Sequence, residues 1–154
     1  MSAKVNLLAQ GSVEIQRACP EVFAYVTNLE NFPAWFPGVA AIHGQGALGH
    51  AQVGKRYRET LRMPVGLIAT IDIEVKEARA ESLFVTEGSG LLMPRMSVDF
   101  AVLPNGSTRV DWRMVSRNQR RWVRWLLLPI LRRVMGRRAR AGLRQLRVNL
   151  EGAP

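Results

Sequence analysis

Cysteine and histidine are scarce in this chain of 154 residues, which has one cysteine, Cys19, and two histidines, His43 and His50. A single cysteine excludes a disulfide within the chain and suits a reducing compartment. Zinc and Rieske-type iron–sulfur sites need clusters of cysteine and histidine ligands, so we expect no metal site and no cofactor. The serine nucleophile-elbow motif is also missing, and the glycines match neither phosphate-binding pattern.

Long hydrophobic runs are missing as well. The longest, residues 122–131, is about half of the ~20 residues that a membrane-spanning helix needs. No charged leader precedes an apolar run, so the sequence predicts no signal peptide. We expect a cytoplasmic protein, either soluble or peripheral at a membrane. Because 47% of the residues are hydrophobic, the chain can bury a core, and we expect a single domain over residues 1–154.

Acidic residues are absent from residues 117–147, although eleven of the 22 basic residues lie there. Basic and acidic residues nearly balance in the rest of the chain, so the net charge of +10 belongs to this one segment. Such an excess of positive charge can meet the phosphates of nucleic acid, anionic lipid headgroups or only water.

The same segment has the pattern of a long helix. Ser116 and Gln119 have the spacing of a capping box, and Pro129 predicts a kink or a restart, with the proline in the first turn. We expect an apolar lead-in and then a main helix with one buried face. Two residues on that face, Ala139 and Gly142, are small, so facing atoms either come very close or leave a space. The face comprises Leu131, Met135, Ala139, Gly142, Leu143, Leu146 and Leu150.

Upstream, the patterns predict one strand, two short helical segments and six further strands. Residues 11–17 alternate as a strand, and residues 5–8 extend it. A short helix follows from Pro20 to near Asn28, and residues 32–38 predict one or two turns whose three aromatic side chains are buried. Short turns between successive strands favour an antiparallel sheet with one wet face. The six further strands are predicted at residues 39–43, 55–63, 67–76, 82–87, 96–102 and 110–114.

Two of these strands alternate clearly enough to assign their faces. The third strand puts Tyr57, Glu59, Leu61 and Met63 on its apolar face, and the fourth does the same with the odd-numbered residues from 67 to 75. On the opposite face, acidic and basic residues can pair across the two strands. The predicted pairs join Asp72 and Glu74 with Arg58 and Arg62.

Residues 19–38, CPEVFAYVTNLENFPAWFPG, resemble the first-helix signature of the helix-grip superfamily, also called SRPBCC. That superfamily includes START lipid-transfer domains, birch-pollen-type allergens, polyketide cyclases and aromatases, and coenzyme Q-binding proteins. The resemblance implies an α+β helix-grip fold, in which a curved antiparallel sheet of about seven strands wraps around the long C-terminal helix. Two short helices follow the first strand, and the sheet and the terminal helix enclose an apolar cavity.

From this resemblance we expect the cavity to bind a hydrophobic small molecule, such as a lipid, an isoprenoid or a polyketide-like compound, as a carrier or sensor. The alternative is a cofactor-independent cyclase, aromatase or dehydratase whose cavity residues move protons. A tightly packed interior would argue against both, and a large cavity without convergent polar groups would favour a carrier. The expected ligand contacts are Trp35, Phe36, Tyr57, Glu59, Leu61, Ile71, Ile73, Val98, Phe100, Trp112, Met135, Ala139 and Gly142.

Three residues are candidates for acid–base chemistry. Glu59 lies on an apolar strand face, where a carboxylate needs either a raised pKa or a partner. The alternatives to an acid–base role are a position at the cavity mouth or an ion pair with an arginine, such as Arg95. Tyr57 either offers its hydroxyl group to a ligand or completes the core. His43 is a general base if it enters the cavity, and otherwise a surface histidine.

The basic helix also predicts an interaction surface. Trp122 and Trp125 precede most of the arginines, an arrangement typical of helices that lie on an anionic membrane surface. Nucleic-acid binding is disfavoured, because stacking aromatic residues are not interleaved with those arginines. The alternatives are a homodimer interface, docking on RNA or a protein complex, and a solvated face whose tryptophans pack on the domain.

Overall fold

The fold is built on a seven-stranded antiparallel sheet, and the computed structural model describes residues 6–152. Strand β1 (Asn6–Ile15) leads into helix α1 (Cys19–Thr27) and a short 3-10 helix (Leu29–Ala34). The terminal helix α2 (Leu128–Glu151) directly follows a π-helical turn (Val123–Leu127). The predicted α+β helix-grip architecture is therefore confirmed. The remaining strands are β2 (Val39–Gln45), β3 (Arg56–Arg62), β4 (Ile68–Arg79), β5 (Leu83–Gly88), β6 (Pro94–Val102) and β7 (Thr108–Ser116).

The strand order is β1-β7-β6-β5-β4-β3-β2, so that all strands after β1 are neighbours in sequence order. The register pairs Arg62 with Ile68 and Pro94 with Ser116. The β3–β4 connection, the β5–β6 connection and the segment that leads into α2 therefore lie at one end of the sheet, which we call the proximal end. The β2–β3, β4–β5 and β6–β7 connections lie at the other, distal end.

The middle of α2 packs tightly on the rest of the core. Ala139, Leu143 and Leu146 are buried, as predicted. A β-carbon added at Gly142 would lie 3.1 Å from Cδ2 of Phe36 and 3.2 Å from the carbonyl oxygen of Trp35. At Gly142, close approach is therefore the correct alternative, and no space is left there.

An aromatic cluster fills the interior beside this contact. Phe32, Trp35 and Phe36 are all buried, as the sequence predicts. Phe32 stacks on Phe36 with ring centroids 4.8 Å apart, and Phe36 lies 5.3 Å from the ring of Trp112 on β7. These rings connect the α2 contact at Gly142 to the sheet, so this part of the interior is occupied by side chains.

The start of the terminal helix differs from the predicted capping box. Ser116 is the last residue of β7, and its hydroxyl group donates a hydrogen bond to the Leu92 carbonyl oxygen. The side-chain oxygen of Asn118 instead accepts from the backbone N–H of Arg120, 2.9 Å away. Pro129 lies in the first turn of α2, as predicted, directly after the π-helical turn, so the irregularity expected at the proline takes the form of a change of helix type.

The alternation of β3 and β4 is confirmed in the middle of these strands and fails at their proximal ends. Tyr57, Ile73 and Val75 are buried, whereas Met63 and Leu67 are 42% and 67% exposed. The physical reason is the register, which pairs Ile73 with Gly88 at the last residue of β5. The β3–β4 connection thus extends beyond the neighbouring strand and has no partner to cover it.

One predicted cross-strand ion pair forms and the other does not. The Arg58 Nε atom lies 3.3 Å from a carboxylate oxygen of Asp72. Glu74 pairs with Lys76 at 2.6 Å and not with Arg62, because Arg62 is in register with Ile68. The predicted strand at residues 5–8 is observed from residue 6, and residue 5 lies outside the described residues.

Within residues 6–152, none of the helices combines the length and the apolar composition that crossing a bilayer would require.

Candidate functional site

The proximal half of the interior contains a small, partly open cavity. Its volume is about 40 Å³, and its wall is formed by the 3-10 helix and by side chains from β2 to β7. Such a volume holds a few water molecules, since roughly 10–15 Å³ is needed for one. Pockets for drug-sized ligands usually measure about 300–1,000 Å³. The wall includes Ile42, Glu59, Ile71, Thr86, Met96 and Met114.

Among residues 6–152, Glu59 is the only charged residue in the cavity wall. It lies in the middle of β3, where its register partners are Ile42 on β2 and Ile71 on β4. Its side chain is buried, and burial raises the pKa of the carboxyl group from 4.5 to about 7. Within residues 6–152, this carboxyl group has no salt bridge and no hydrogen bond to another side chain or to the backbone. It therefore faces an apolar space without a protein partner.

The alternative that Glu59 pairs with Arg95 is wrong. An Arg95 Nη atom lies 2.6 Å from a carboxylate oxygen of Glu87, and the other lies 3.8 Å from Glu77. Arg117 adds a third contact, 3.6 Å from Glu87. These charges form a partly exposed network, so Arg95 is engaged away from the cavity.

Thr86 is the second polar side chain in the wall, and the sequence analysis did not identify it. It is 4% exposed and lies in β5 between the buried residues Phe84 and Gly88, which share its face. The alternation of β5 is too short to assign a face from the sequence alone. The spacing of Thr86 from Phe84 is the signal that would have placed it, once β5 is known to pair with β4 and β6.

Tyr57 is buried but does not line the cavity. Its hydroxyl oxygen lies 2.6 Å from Nδ1 of His50, and the two rings stack with centroids 5.8 Å apart. Burial raises the pKa of Tyr57 to about 12, so its phenol stays protonated at neutral pH. His43 is exposed on β2 and also lies outside the cavity wall. Of the three acid–base candidates, only Glu59 faces the cavity.

Three of the expected ligand contacts line the cavity, namely Glu59, Ile71 and Ile73. The others lie outside its wall, most of them in the packed core. Side chains from the 3-10 helix, β2, β6 and β7 take their place, because the cavity lies beside Phe32 and away from the middle of α2. The expected contacts outside the wall are Trp35, Phe36, Tyr57, Leu61, Val98, Phe100, Trp112, Met135, Ala139 and Gly142.

Metal binding has no support in the described part of the chain. No group of three or more histidine, cysteine or carboxylate side chains lies close enough together within residues 6–152 to hold an ion.

Several solved structures have the same fold at low sequence identity. A START superfamily protein from Mycobacterium smegmatis superposes with a TM-score of 0.74 at 13% identity, covering 95% of this chain and 98% of that one. The di-domain ARO/CYC protein BexL, from the BE-7585A biosynthetic pathway, gives 0.66 at 19% identity, with 94% and 50% covered. The di-domain ARO/CYC protein StfQ, from the steffimycin biosynthetic pathway, gives 0.71 at 13% identity, with 95% and 51% covered.

The chain thus spans about half the length of each di-domain protein. No curated protein sequence matches it. The family profile described as polyketide cyclase/dehydrase and lipid transport matches residues 8–151, nearly the whole described structure. On this match, the chain belongs to the polyketide cyclase/dehydrase and lipid transport family.

Proposed function

We propose that the protein binds a hydrophobic small molecule, such as a lipid, an isoprenoid or a polyketide-like compound, at the cavity around Glu59. The observation that carries this proposal is a buried carboxyl group that has no partner among the described residues and lies in a largely apolar wall. Burying a carboxylate without a partner costs several kcal/mol, at order of magnitude, and the core gains nothing from it. A ligand oxygen that hydrogen-bonds to Glu59 gives the group a role.

The pKa of Glu59 suits such a contact. At about 7, both protonation states are populated near neutral pH. The protonated group donates a hydrogen bond to a carbonyl or ether oxygen, and the ionised group accepts one from a hydroxyl group. Thr86 supplies a second polar group in the same wall. Affinity would come from the apolar body of the ligand, at ~25 cal/mol per Å² buried.

Binding requires the cavity to enlarge, because about 40 Å³ does not hold a lipid or a polyketide chain. The wall contains side chains that can move. Met96 and Met114 have flexible, unbranched side chains, which adapt to irregular spaces. Ile71 and Met114 are only half-buried, so the ligand would enter on their side.

The family and the structural relatives support the same class of ligand. The family description names polyketide cyclases, dehydrases and lipid transport, and two relatives of the same fold are ARO/CYC proteins of biosynthetic pathways. A carrier or sensor role requires only the cavity and one polar contact. It is therefore the function that the geometry supports best.

Proton transfer on a bound polyketide-like chain is the second candidate, and Glu59 alone favours it. A carboxyl group with a pKa of about 7 is matched to general acid–base catalysis at neutral pH. Glu59→Gln keeps the shape and removes the proton function, so it should abolish turnover while leaving binding in place. Equal turnover by the variant and the wild type would exclude this candidate.

The test of binding is native mass spectrometry of the purified protein, followed by titration with a fluorescent fatty acid. Wild type should carry a lipid-like mass or take up the probe saturably. Ile71→Phe fills the cavity and should lower probe affinity at least ~10-fold, a loss of ~1.4 kcal/mol. The matched control is Leu83→Phe, a half-buried position in β5 outside the cavity wall, which should bind as wild type does. Equal affinity of wild type and Ile71→Phe would contradict the proposal.

A further inference from the structure

Three separate segments expose large apolar side chains at the proximal end of the sheet. In the β3–β4 connection, Val65 is 97% exposed and Ile68 is 71% exposed. The β5–β6 connection exposes Leu91 and Met93 to smaller extents, and the helix start exposes Trp125 to 75%. We call these segments together, residues 63–68, 91–93 and 122–130, the apolar rim.

Hydrogen bonds hold the β5–β6 connection between the segment that leads into the helix and strand β4. The backbone N–H of Arg117 donates a hydrogen bond to the carbonyl oxygen of Met93 at 3.0 Å. The side-chain amide of Asn118 donates to the carbonyl oxygen of Leu91 at 2.6 Å. The β5–β6 connection is thus bound to the segment that leads into the helix. Ser89 joins the same connection to β4, because its N–H donates to the carbonyl oxygen of Asp72 at 2.8 Å.

Positive charge surrounds the helical part of the rim. Residues 117–147 contain eleven arginines and no acidic residue. Within the described residues, Arg121, Arg133 and Arg137 are exposed and form no salt bridge. Arg133 and Arg137 border a surface groove whose apolar side chains include Ile130 and Val134. Apolar and cationic groups therefore alternate along this face.

We infer that the apolar rim docks on an anionic membrane surface, with its apolar side chains among the acyl chains and its arginines at the lipid phosphates. Charge complementarity selects this partner, since Arg121, Arg133 and Arg137 are exposed without a salt bridge within the described residues, and no acidic residue occurs between residues 117 and 147. A symmetric dimer through the same face would oppose positive charge to positive charge. Docking of the rim on a membrane does not require the cavity to bind a ligand.

The tip of the β3–β4 connection gives an independent argument. Val65 has φ 65°, in the left-handed region that a β-branched residue rarely adopts. Glycine or asparagine would relieve this strain at a site where the side chain has no packing role, since Val65 is 97% exposed. A strained valine that projects at the tip is accounted for if the side chain inserts into a bilayer.

The test is co-sedimentation with vesicles of phosphatidylcholine alone and with added phosphatidylglycerol, at low and at high salt. Binding should rise with the phosphatidylglycerol fraction and fall with salt, because screening shortens the reach of the arginines. Trp125→Ala combined with Leu126→Ala should weaken binding at least ~10-fold even at low salt, and Val65→Asn should weaken it while the fold is kept. The matched control is Val53→Asn with Val102→Asn, at distal positions that are 61% and 66% exposed, and it should bind as wild type does.

A second pair of variants separates charge from insertion. Arg133→Gln with Arg137→Gln should weaken binding roughly fivefold per arginine on anionic vesicles only, which corresponds to ~1 kcal/mol each. Arg144→Gln, also exposed but about 16 Å further along the helix from Arg133 at ~1.5 Å per residue, should change little. Negligible sedimentation with anionic vesicles at low salt would overturn the inference. So would a dimer in analytical ultracentrifugation that Trp125→Ala with Leu126→Ala dissociates.

Discussion

Two regions of the interior face different parts of the same sheet and differ in how they are filled. Beside the middle of α2, Gly142 allows Phe36 and the backbone of Trp35 to approach within contact distance, and aromatic rings occupy the space up to Trp112. On the other side of Phe32, the wall encloses about 40 Å³ around the carboxyl group of Glu59. Small residues on a buried helix face therefore do not indicate a cavity. In this chain the small residue Gly142 allows aromatic side chains to pack against the helix, and the cavity lies beside Glu59.

The largest expected difference between the two regions is electrostatic. Burial raises the pKa of Glu59 from 4.5 to about 7, so the folded state binds this proton more tightly than the unfolded state. The contribution of this group to the free energy of unfolding falls as the pH rises from about 4.5 to about 7. Above about pH 7 the contribution is fully lost, a decrease of ~3 kcal/mol at order of magnitude. Because Gln does not titrate, Glu59→Gln should be more stable than wild type at pH 8, by up to ~3 kcal/mol, and about as stable at pH 4.

Denaturant titrations of both proteins across this pH range measure the difference directly. Glu87→Gln serves as the control, since Glu87 forms an ion pair with Arg95 and its loss should not stabilise the protein at pH 8. A Glu59→Gln protein that is less stable than wild type at pH 8 would mean that the carboxylate has a partner.

The filled region should resist enlargement. Gly142→Leu places its side chain against Phe36 and the carbonyl oxygen of Trp35, and should lower the free energy of unfolding by ~1–3 kcal/mol. Gly136→Leu on the same helix is the control, because a β-carbon there meets only the Arg140 side chain at 3.7 Å. That change should stabilise the helix by up to ~1 kcal/mol through its higher helix propensity. The melting temperatures of Gly142→Leu and Gly136→Leu should shift in opposite directions. Equal shifts would show that Gly142 is no more tightly packed than Gly136.

The smallest effect is expected where the cavity absorbs a larger side chain. Ile71→Phe should change the free energy of unfolding by less than ~1 kcal/mol, because the new atoms enter open space. Val98→Phe, at a fully buried position outside the cavity wall, should cost ~1–3 kcal/mol. Chemical denaturation of Ile71→Phe and Val98→Phe compares the cavity wall with the packed core, because both variants introduce phenylalanine. A similar loss of unfolding free energy in both variants would show that the cavity does not accommodate a larger side chain.

The sequence predicted the elements and much less of the cavity. Hydrophobic period identified the seven strands and the buried face of α2, and alternation placed Glu59 on the inner face of β3. Alternation gives a face but not a volume, since the cavity depends on side chains from the 3-10 helix and from β2 to β7 together. The sequence therefore predicts Trp112 and Gly142 as ligand contacts and does not predict Met96 and Met114, which line the cavity.

Surface exposure at the proximal end shows the same limit. Leu67 continues the apolar period of β4, yet it is exposed because β5 ends at the register of Ile73. The capping box at Ser116 fails for a related reason. The hydroxyl group of that residue bonds to Leu92 in the β5–β6 connection, a contact between residues 24 positions apart. Local sequence patterns do not reveal the relative lengths of neighbouring strands or the contacts between residues that are distant in sequence.

The most direct test of the proposed binding site is a titration of methyl-labelled methionine with a fatty acid, followed by NMR. Met96 and Met114 line the cavity, Met135 lies on the helix face, and Met63 and Met93 lie in the apolar rim. The methyl resonances of Met96 and Met114 should shift together and saturate with one affinity, while that of Met135 changes little. Shifts confined to Met63 and Met93, or no saturable shift at Met96 and Met114, would contradict binding at the Glu59 cavity.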